Sequence, residues 1–230
     1  MYDFDEIEIV PSVLAGEVHW AAKIPVFALL IPMVAAWIMM VFQGGMARWG
    51  VSSTSIGNGH YENLFLHMFA HGGLLHLLMN ASALHALGGP LVMRMGAFPR
   101  SWFGFFGVYF FAGLAGAAGY LLVHPAGEVP MVGASGAICG LLGVVSRMTF
   151  VPGELLPISS TEFRQRAWLF VKENLLLILL FTVPVLLLGK QGGVAWEAHV
   201  GGFLVGLVLA PFVLKLANEM PPAAPSDVGS

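Results

Sequence analysis

Long apolar runs separated by polar segments dominate the hydropathy pattern of this chain. Six runs are predicted as membrane-spanning helices, at residues 21–42, 63–91, 102–123, 135–150, 168–188 and 196–216. Lys23 lies at the edge of the first run, the fourth is short for a full span, and Pro184 predicts a kink near the end of the fifth. An apolar helix needs about 20 residues to cross the hydrocarbon core. The pattern therefore predicts an all-α polytopic membrane protein.

The segments that flank these runs are polar and predict no further domain. Residues 1–20 are acidic, and they lack the basic start and the small-residue cleavage site of a secretory signal peptide. The first run is therefore expected to stay in the protein as an anchor. Residues 218–230 are Pro-rich and are predicted to be disordered. We predict one membrane domain at 21–217, preceded by an acidic segment and followed by a disordered tail.

Composition agrees with a membrane protein and excludes several other classes. Of 230 residues, 57% are hydrophobic and 10% are charged, against about 25% charged residues in a soluble chain. A soluble enzyme, a disordered chain and a nucleic-acid-binding protein with a basic face are excluded. The single cysteine, Cys139, excludes a disulfide framework and a multi-cysteine zinc site. The net charge of −3 indicates no partner.

The distribution of basic residues predicts the orientation of the six runs. An even number of spans puts both termini on one side. All Lys and Arg except Arg48 and Lys190 fall on that side, namely Lys23, Arg94, Arg100, Arg147, Arg164, Arg166, Lys172 and Lys215. Because cytoplasmic loops carry the excess of Lys and Arg, both termini are predicted to be cytoplasmic. The loops at 43–63, 124–134 and 189–195 then face outward.

The second run is unusual in its polar residues, which are His67, His71, His76, Asn80, Ser82 and His85. At about 100° per residue, His76 and Asn80 share one stripe of a helix. Such groups can form hydrogen bonds between helices, and this interpretation is favoured for His67, His71 and His85. Histidines four residues apart also suit a metal. A metal is less favoured, because Met68 follows His67 where a zinc protease needs glutamate, and the other runs add only His199.

Two further runs carry candidate chemistry at their starts. Ser135 opens the fourth run within Gly-Ala-Ser-Gly, where free backbone N–H groups at a helix N-terminus could hold an oxyanion. Taken alone, Ser135 is more simply a helix N-cap. His199 opens the sixth run and could activate a serine as general base. Both lie near the outward ends of their runs, as do His76 and Asn80, and this joint placement favours a catalytic site.

Small residues follow both candidates at helical spacing. Gly136, Gly140 and Gly143 form one bare stripe on the fourth run, and His199 heads a stripe continued by Gly206 and Ala210, with Gly202 beside it. In lipid, helices approach closely where both contact faces are small. The two stripes therefore predict a close contact that brings the fourth and sixth runs together.

Together these residues resemble the rhomboid family of intramembrane serine proteases, in its compact six-span bacterial type. The second run has the family pattern H-x3-H-x4-H-x3-N, formed by His67, His71, His76 and Asn80. The fourth has G-x-S-G-x3-G-L-x-G, from Gly133 to Gly143, and the sixth has A-H-x2-G-x3-G, from Ala198 to Gly206. The resemblance covers all six runs.

The resemblance implies a fold and a mechanism. It implies a six-helix rhomboid-like bundle in which Ser135 is the nucleophile and His199 the general base, without an acidic third member. His76, Asn80 and the backbone N–H of Ser135 would surround the oxyanion. The implied cavity is water-filled and opens to the outside, and the 43–63 loop lies partly in the membrane plane. Tyr61-Glu62-Asn63 stands where many relatives carry a Trp-Arg pair.

The resemblance also implies partners and leaves an alternative. The expected substrates are transmembrane proteins in a lipid bilayer, in the bacterial inner membrane, with no cofactor, metal or nucleic acid. The alternative is a catalytically inactive rhomboid-like protein that binds membrane clients. Inactive relatives typically lack the serine or the histidine, whereas this chain keeps Ser135 and His199. A transporter is less favoured, because the chain shows no internal repeat.

Overall fold

The computed structural model describes residue 14 and residues 17–43, 45–190 and 192–215. Within these ranges it contains helices and no extended strand; two isolated bridges join Val51 to Met131 and Met148 to Leu155. The all-α prediction is confirmed for the described part of the chain. The predicted tail at 218–230 and most of the predicted acidic segment at 1–20 lie outside the described residues.

The helices follow the apolar runs in chain order. They are α1 (Trp20–Phe42), α2 (Met46–Trp49), α3 (Ser53–Gly57), α4 (Asn63–Leu66), α5 (Leu74–Arg94), α6 (Arg100–Val123), α7 (Ser135–Ser146), α8 (Thr161–Leu177), α9 (Val183–Leu187) and α10 (Trp196–Lys215). A π-helical segment, Ile178–Thr182, joins α8 to α9 without a break.

Four of these segments are long and apolar enough to cross a membrane: Trp20–Phe42, Arg100–Val123, Thr161–Leu187 and Trp196–Leu214. Their outer faces carry large exposed apolar side chains, such as Ile31, Phe111, Leu179 and Phe212, each at least 60% exposed. Apolar surface on this scale is unusual for a soluble protein and suits contact with lipid. The two remaining apolar helices do not meet this description, because α5 carries several polar residues and α7 has only 12 residues.

The second predicted span, at 63–91, begins too early. Its first part is the short helix α4 followed by a turn, and the long helix α5 starts only at Leu74, after Gly72 and Gly73. Local hydrogen bonds hold this segment, because Asn63 Nδ2 donates to the Gly50 carbonyl and His67 Nδ1 donates to the Asn63 carbonyl. His67 and His71 therefore lie before the helix that carries His76 and Asn80.

Two other boundaries also differ from prediction. The fourth span ends at Ser146 instead of residue 150. The chain then leaves the helix and pairs Met148 with Leu155 in an isolated bridge. The fifth begins at Thr161 instead of residue 168, because Ser160 caps the helix by accepting the Phe163 N–H. The hydropathy pattern did not predict residues 161–167 as helix because most of their side chains are polar or charged.

A π-helical segment lies just before Pro184, at the place where the sequence predicts a kink. Proline lacks the N–H that would donate to the carbonyl four residues earlier. The helix widens over Ile178–Thr182 and resumes at Val183, which accommodates the missing bond. Such π segments are rare and often occur at functional sites.

α7 lies at the centre of the bundle. It packs against α10, α6 and α5, while α1 packs mainly on α5. Every residue of α7 from Gly136 to Ser146 is buried except Leu142. At a rise of about 1.5 Å per residue, this helix spans only about 18 Å, so its first residue lies well inside the bundle.

The contact between α7 and α10 is made by backbone against backbone. A Cβ on Gly202 would overlap the carbonyl of Gly136, and a Cβ on Gly206 would overlap the carbonyl of Gly140. A Cβ on Gly143 would in turn overlap the carbonyl of Phe203. Glycine is therefore required on both helices for them to approach this closely.

A side chain at Gly202 is expected to separate the two helices. Gly202→Val should lower the melting temperature, because it places methyl groups where the Gly136 carbonyl lies and overpacking costs about 1–3 kcal/mol. The matched control on the same helix is Leu204→Val, at a side chain that is 54% exposed. Thermal unfolding in detergent measures both variants. Equal melting temperatures for the two would show that the contact does not limit stability.

Candidate active site

Ser135 is the first residue of α7, and the chain reaches it through a tight glycine turn. Gly133 has a φ of +124°, which side-chain-bearing residues rarely adopt. A Cβ at Gly133 would also lie 2.7 Å from His76 Nε2. The N–H of Gly133 donates to the His67 carbonyl at 2.8 Å, so the turn is anchored to the segment before α5.

The N-cap interpretation of Ser135 is wrong. Ala134 occupies the N-cap position, and no side chain caps the helix there. The Ser135 hydroxyl instead lies 2.8 Å from Nε2 of His199. The first intrahelical bond runs from the Ile138 N–H to the Ala134 carbonyl, so the amides of the first turn are not used inside α7.

His199 lies in the first turn of α10 and is buried, with 5% of its surface exposed. The glycine contact described above holds this turn of α10 against the start of α7. Ser135 and His199, 64 positions apart in the chain, thereby come within hydrogen-bond distance. A hydroxyl beside a buried imidazole is the arrangement that activates a serine nucleophile.

His76, in the first turn of α5, lines the same cavity as Ser135 and His199. Its ring sits over Gly133, and its Nδ1 accepts a long hydrogen bond of 3.4 Å from the Gly72 N–H. In a neutral imidazole the other nitrogen then carries the proton. His76 Nε2–H is thus a donor close to Gly133, two residues before Ser135.

Asn80 lies one turn deeper in α5 and is buried. Its Nδ2 donates to the His76 carbonyl at 2.9 Å. Asn80 therefore follows His76 on the predicted stripe, but it does not line the cavity that contains His76, Ser135 and His199.

That cavity has a volume of about 1010 Å³ and lies at one end of the bundle. Its walls come from the loop at 126–133, the loop at 192–195 and the end of α9. The loop at 43–63 meets this end too, because Val51 pairs with Met131 and the Ser53 hydroxyl donates to the His124 carbonyl. All three loops predicted to face outward therefore gather around the candidate site.

One hydrogen bond connects two walls of this cavity. Thr182 Oγ1, at the end of the π-helical segment, accepts the Val194 N–H at 2.9 Å. The same threonine leaves no room for a Cβ on Gly193, which would lie 2.5 Å from Thr182 Oγ1, and the Gly193 φ of +138° is one that other residues rarely adopt. The end of the α8–α9 helix is thereby joined to the loop that leads into α10.

Comparison with known proteins assigns the fold to a family. A family model described as "Rhomboid domain" matches residues 58–216. The chain belongs to the rhomboid family. The resemblance inferred from the sequence motifs is thus confirmed, and with its long apolar helices the chain is an integral membrane protein.

Two named relatives support the assignment at moderate identity. "RHOMBOID-like protein 5" of Arabidopsis thaliana is 33% identical over 169 residues, which cover 71% of this chain and 47% of that protein. "Putative rhomboid protease YdcA" of Bacillus subtilis (strain 168) is 29% identical over 155 residues, or 67% of this chain and 68% of that protein. The match thus spans about half the length of the Arabidopsis relative.

Two features of this rhomboid site were missed in the sequence. Asn174, on α8, contacts His199 through its amide at 2.6 Å. His124 Nε2 lies 2.9 Å from the carboxylate of Glu197, which is buried at the start of α10. The signal for Asn174 was present, since a polar residue inside an apolar run is a functional candidate. No pattern within one helix, however, indicates its partner.

His67 and His71, which precede α5, are both buried in the rhomboid fold. His67 is 2% exposed and His71 is fully buried. Burial lowers the pKa of each from its usual 6.5 to about 4, and nearby His76 contributes for His71. Both imidazoles are therefore neutral at pH 7. Among the described residues, no group of three or more His, Cys, Asp or Glu side chains is placed to hold a metal ion.

Acid is expected to destabilise the rhomboid fold through these two residues. The unfolded chain binds protons near pH 6.5, whereas the folded chain excludes them down to about pH 4. Stability should therefore fall as the pH drops through this window. His67→Gln removes one of the two groups and should flatten the slope of melting temperature against pH between 6.5 and 4. His85→Gln, at an exposed position of α5, is the control; an equal effect of both variants would contradict the assignment.

Proposed function

We propose that this protein is an intramembrane serine endopeptidase that cleaves transmembrane segments of other membrane proteins. The observation that carries the proposal is the 2.8 Å contact between the Ser135 hydroxyl and His199 Nε2 at a cavity of about 1010 Å³. Ser135 is the nucleophile and His199 is the general base. Family membership and the name of the Bacillus relative support the same activity.

The first half of the reaction transfers an acyl group to Ser135. Oγ bonds to the scissile carbonyl carbon while its proton passes to His199 Nε2. The carbonyl oxygen becomes an oxyanion beside the amide groups at the start of α7 and the Nε2–H of His76. The C–N bond then breaks, and the proton on Nε2 passes to the leaving amine. Asn80, whose Nδ2 donates to the His76 carbonyl, supports the oxyanion site by holding the turn of α5 that carries His76.

The second half releases the acyl group by the same steps with water as nucleophile. His199 takes a proton from water, the hydroxide adds to the acyl carbon, and Ser135 leaves with the proton returned to Oγ. Water has to reach the site, and the cavity between the loops supplies room for it. No cofactor is needed for either half.

The membrane arrangement follows from the position of this cavity. We place α5 and α7 as the two remaining spans of a six-span bundle, with both termini in the cytoplasm. The arginines that hold the opposite end of the bundle support this orientation, since Arg94 donates to the Thr149 carbonyl and Arg166 donates to the Met148 carbonyl. The active site then opens to the extracytoplasmic side of a bacterial inner membrane, where transmembrane substrates enter from the lipid.

The second candidate function is client binding without cleavage. It would use the same bundle and the same cavity, but it gives no reason for a serine hydroxyl to lie beside a buried imidazole. The geometry at Ser135 and His199 therefore favours the enzyme. Labelling by a fluorophosphonate probe distinguishes the two, because the probe reacts only with an activated serine.

The first test removes the two reacting side chains. Ser135→Ala and His199→Ala should each abolish cleavage of a single-span substrate and labelling by the probe, with the protein still folded. The two residues act as one unit, so the double variant should be no worse than either single variant. Substantial cleavage by Ser135→Ala would refute the proposed function.

The second test concerns the oxyanion. His76→Ala and Asn80→Ala should lower kcat more than they raise KM, because a donor to the oxyanion acts mainly in the transition state. Loss of one such donor costs about 10²–10³-fold in other serine hydrolases. Ser82→Ala, at an exposed position of the same helix, should leave kcat unchanged. An effect confined to KM would instead make the residue a substrate-binding group.

A further inference from the structure

Asn174 on α8 touches the candidate base from the side opposite to Ser135. Its Oδ1 lies 2.6 Å from His199 Nδ1, while Ser135 Oγ lies 2.8 Å from His199 Nε2. The imidazole is therefore held at both nitrogens, by residues from two different helices. A third group on the far nitrogen of a catalytic histidine is what turns a pair into a triad.

The orientation of the Asn174 amide is determined by a second hydrogen bond. Its Nδ2 donates to the Phe170 carbonyl, one turn earlier in α8, at 2.8 Å. The reversed amide would bring two oxygen atoms to that distance, which is repulsive. Oδ1 therefore faces His199 and can only accept.

This fixed acceptor selects one tautomer of His199. The ring nitrogen facing Oδ1 must carry the proton, so Nδ1–H donates to Asn174. In the neutral imidazole Nε2 is then unprotonated and free to accept from the Ser135 hydroxyl. In the opposite tautomer Nε2 would carry a hydrogen and could not take the serine proton.

The packing of α8 on α10 keeps Asn174 in register with His199. Four residues away on each helix, Phe170 and Phe203 stack with ring centroids 4.0 Å apart and an interplanar angle of 11°. The two helices run in opposite directions here, since the earlier residue of α8 meets the later residue of α10. The aromatic pair and the polar pair thus form successive layers of one contact.

We propose that Asn174 is a positioning residue for catalysis, which holds His199 in the tautomer that accepts the Ser135 proton. The inference rests on the proposed function, and it extends the Ser135–His199 dyad to a Ser-His-Asn arrangement assembled from α7, α10 and α8. An amide suits this place because it supplies the acceptor oxygen without adding a charge to a helix within the membrane.

The test compares two substitutions of nearly equal size. Asn174→Leu removes the acceptor and should lower kcat about 10- to 100-fold, as when a metal-ligating histidine loses its outer hydrogen-bond partner, with little change in KM. Asn174→Asp keeps an acceptor oxygen at the same place and should restore most of kcat. Leu175→Ala, at an exposed neighbouring position of α8, is the control. Melting temperatures and the rate of fluorophosphonate labelling are measured for all three.

A second measurement reports the tautomer directly. Nitrogen-15 spectra of histidine-labelled protein in detergent, with the His199 signals identified by their loss in His199→Gln, should show Nδ1 protonated in the parent protein. In Asn174→Leu this preference should weaken. Asn174→Ala replaces the leucine variant if the latter does not fold.

The outcomes separate this inference from the proposed function. Unchanged kcat in a folded Asn174→Leu variant, or a failure of Asn174→Asp to recover activity, would overturn the positioning role while Ser135 and His199 keep theirs. A fall in melting temperature that accounts for the whole loss of activity would make Asn174 a structural bridge between helices. Cleavage by Ser135→Ala would instead overturn both the proposed protease function and the positioning role of Asn174.

Discussion

The close approach of α7 and α10 is the constraint on which the rest of the site depends. Lipid offers no hydrophobic force between helices, so their contact relies on dispersion forces over surfaces that fit. Here the fit is between peptide groups, with Gly202 on the Gly136 carbonyl and Gly206 on the Gly140 carbonyl. Because Ser135 precedes the first of these glycines and His199 lies one turn before Gly202, the contact determines the distance between hydroxyl and imidazole.

Two histidines of the site hold opposite tautomers, each set by its own neighbours. His76 accepts at Nδ1 from the Gly72 N–H and therefore donates at Nε2. His199 faces the Asn174 amide oxygen at Nδ1 and therefore accepts at Nε2. The same type of side chain thus supplies a hydrogen-bond donor near Gly133 and a proton acceptor at the Ser135 hydroxyl. Backbone and amide groups make this distinction without placing a charge in the bundle.

The accuracy of the sequence predictions depended on what kind of signal each element carries. For the spans at 21–42, 102–123 and 196–216, the predicted helix ends agree with the observed ends to within two residues in the described part of the chain. These runs are uniformly apolar, so the change to polar residues coincides with the end of the helix. The predicted starts of the second and fifth spans were wrong. In the second span an apolar run continues through a short helix and a turn before the long helix begins, and in the fifth the first turns of the helix are polar. The candidates Ser135, His76, Asn80 and His199 could be named from the sequence because each lies in a helix that an apolar run predicts. Asn174 was missed because its role exists only across two helices.

The π-helical segment before Pro184 has a mechanical consequence. Thr182, its last residue, accepts a hydrogen bond from the Val194 N–H, and both α9 and the 192–195 loop form walls of the cavity at the candidate site. Outward movement of α9 must either carry this loop along or break the Thr182 bond. The movements of α9 and of the 192–195 loop are therefore coupled through one hydrogen bond, so that displacement of either element changes the position of the other.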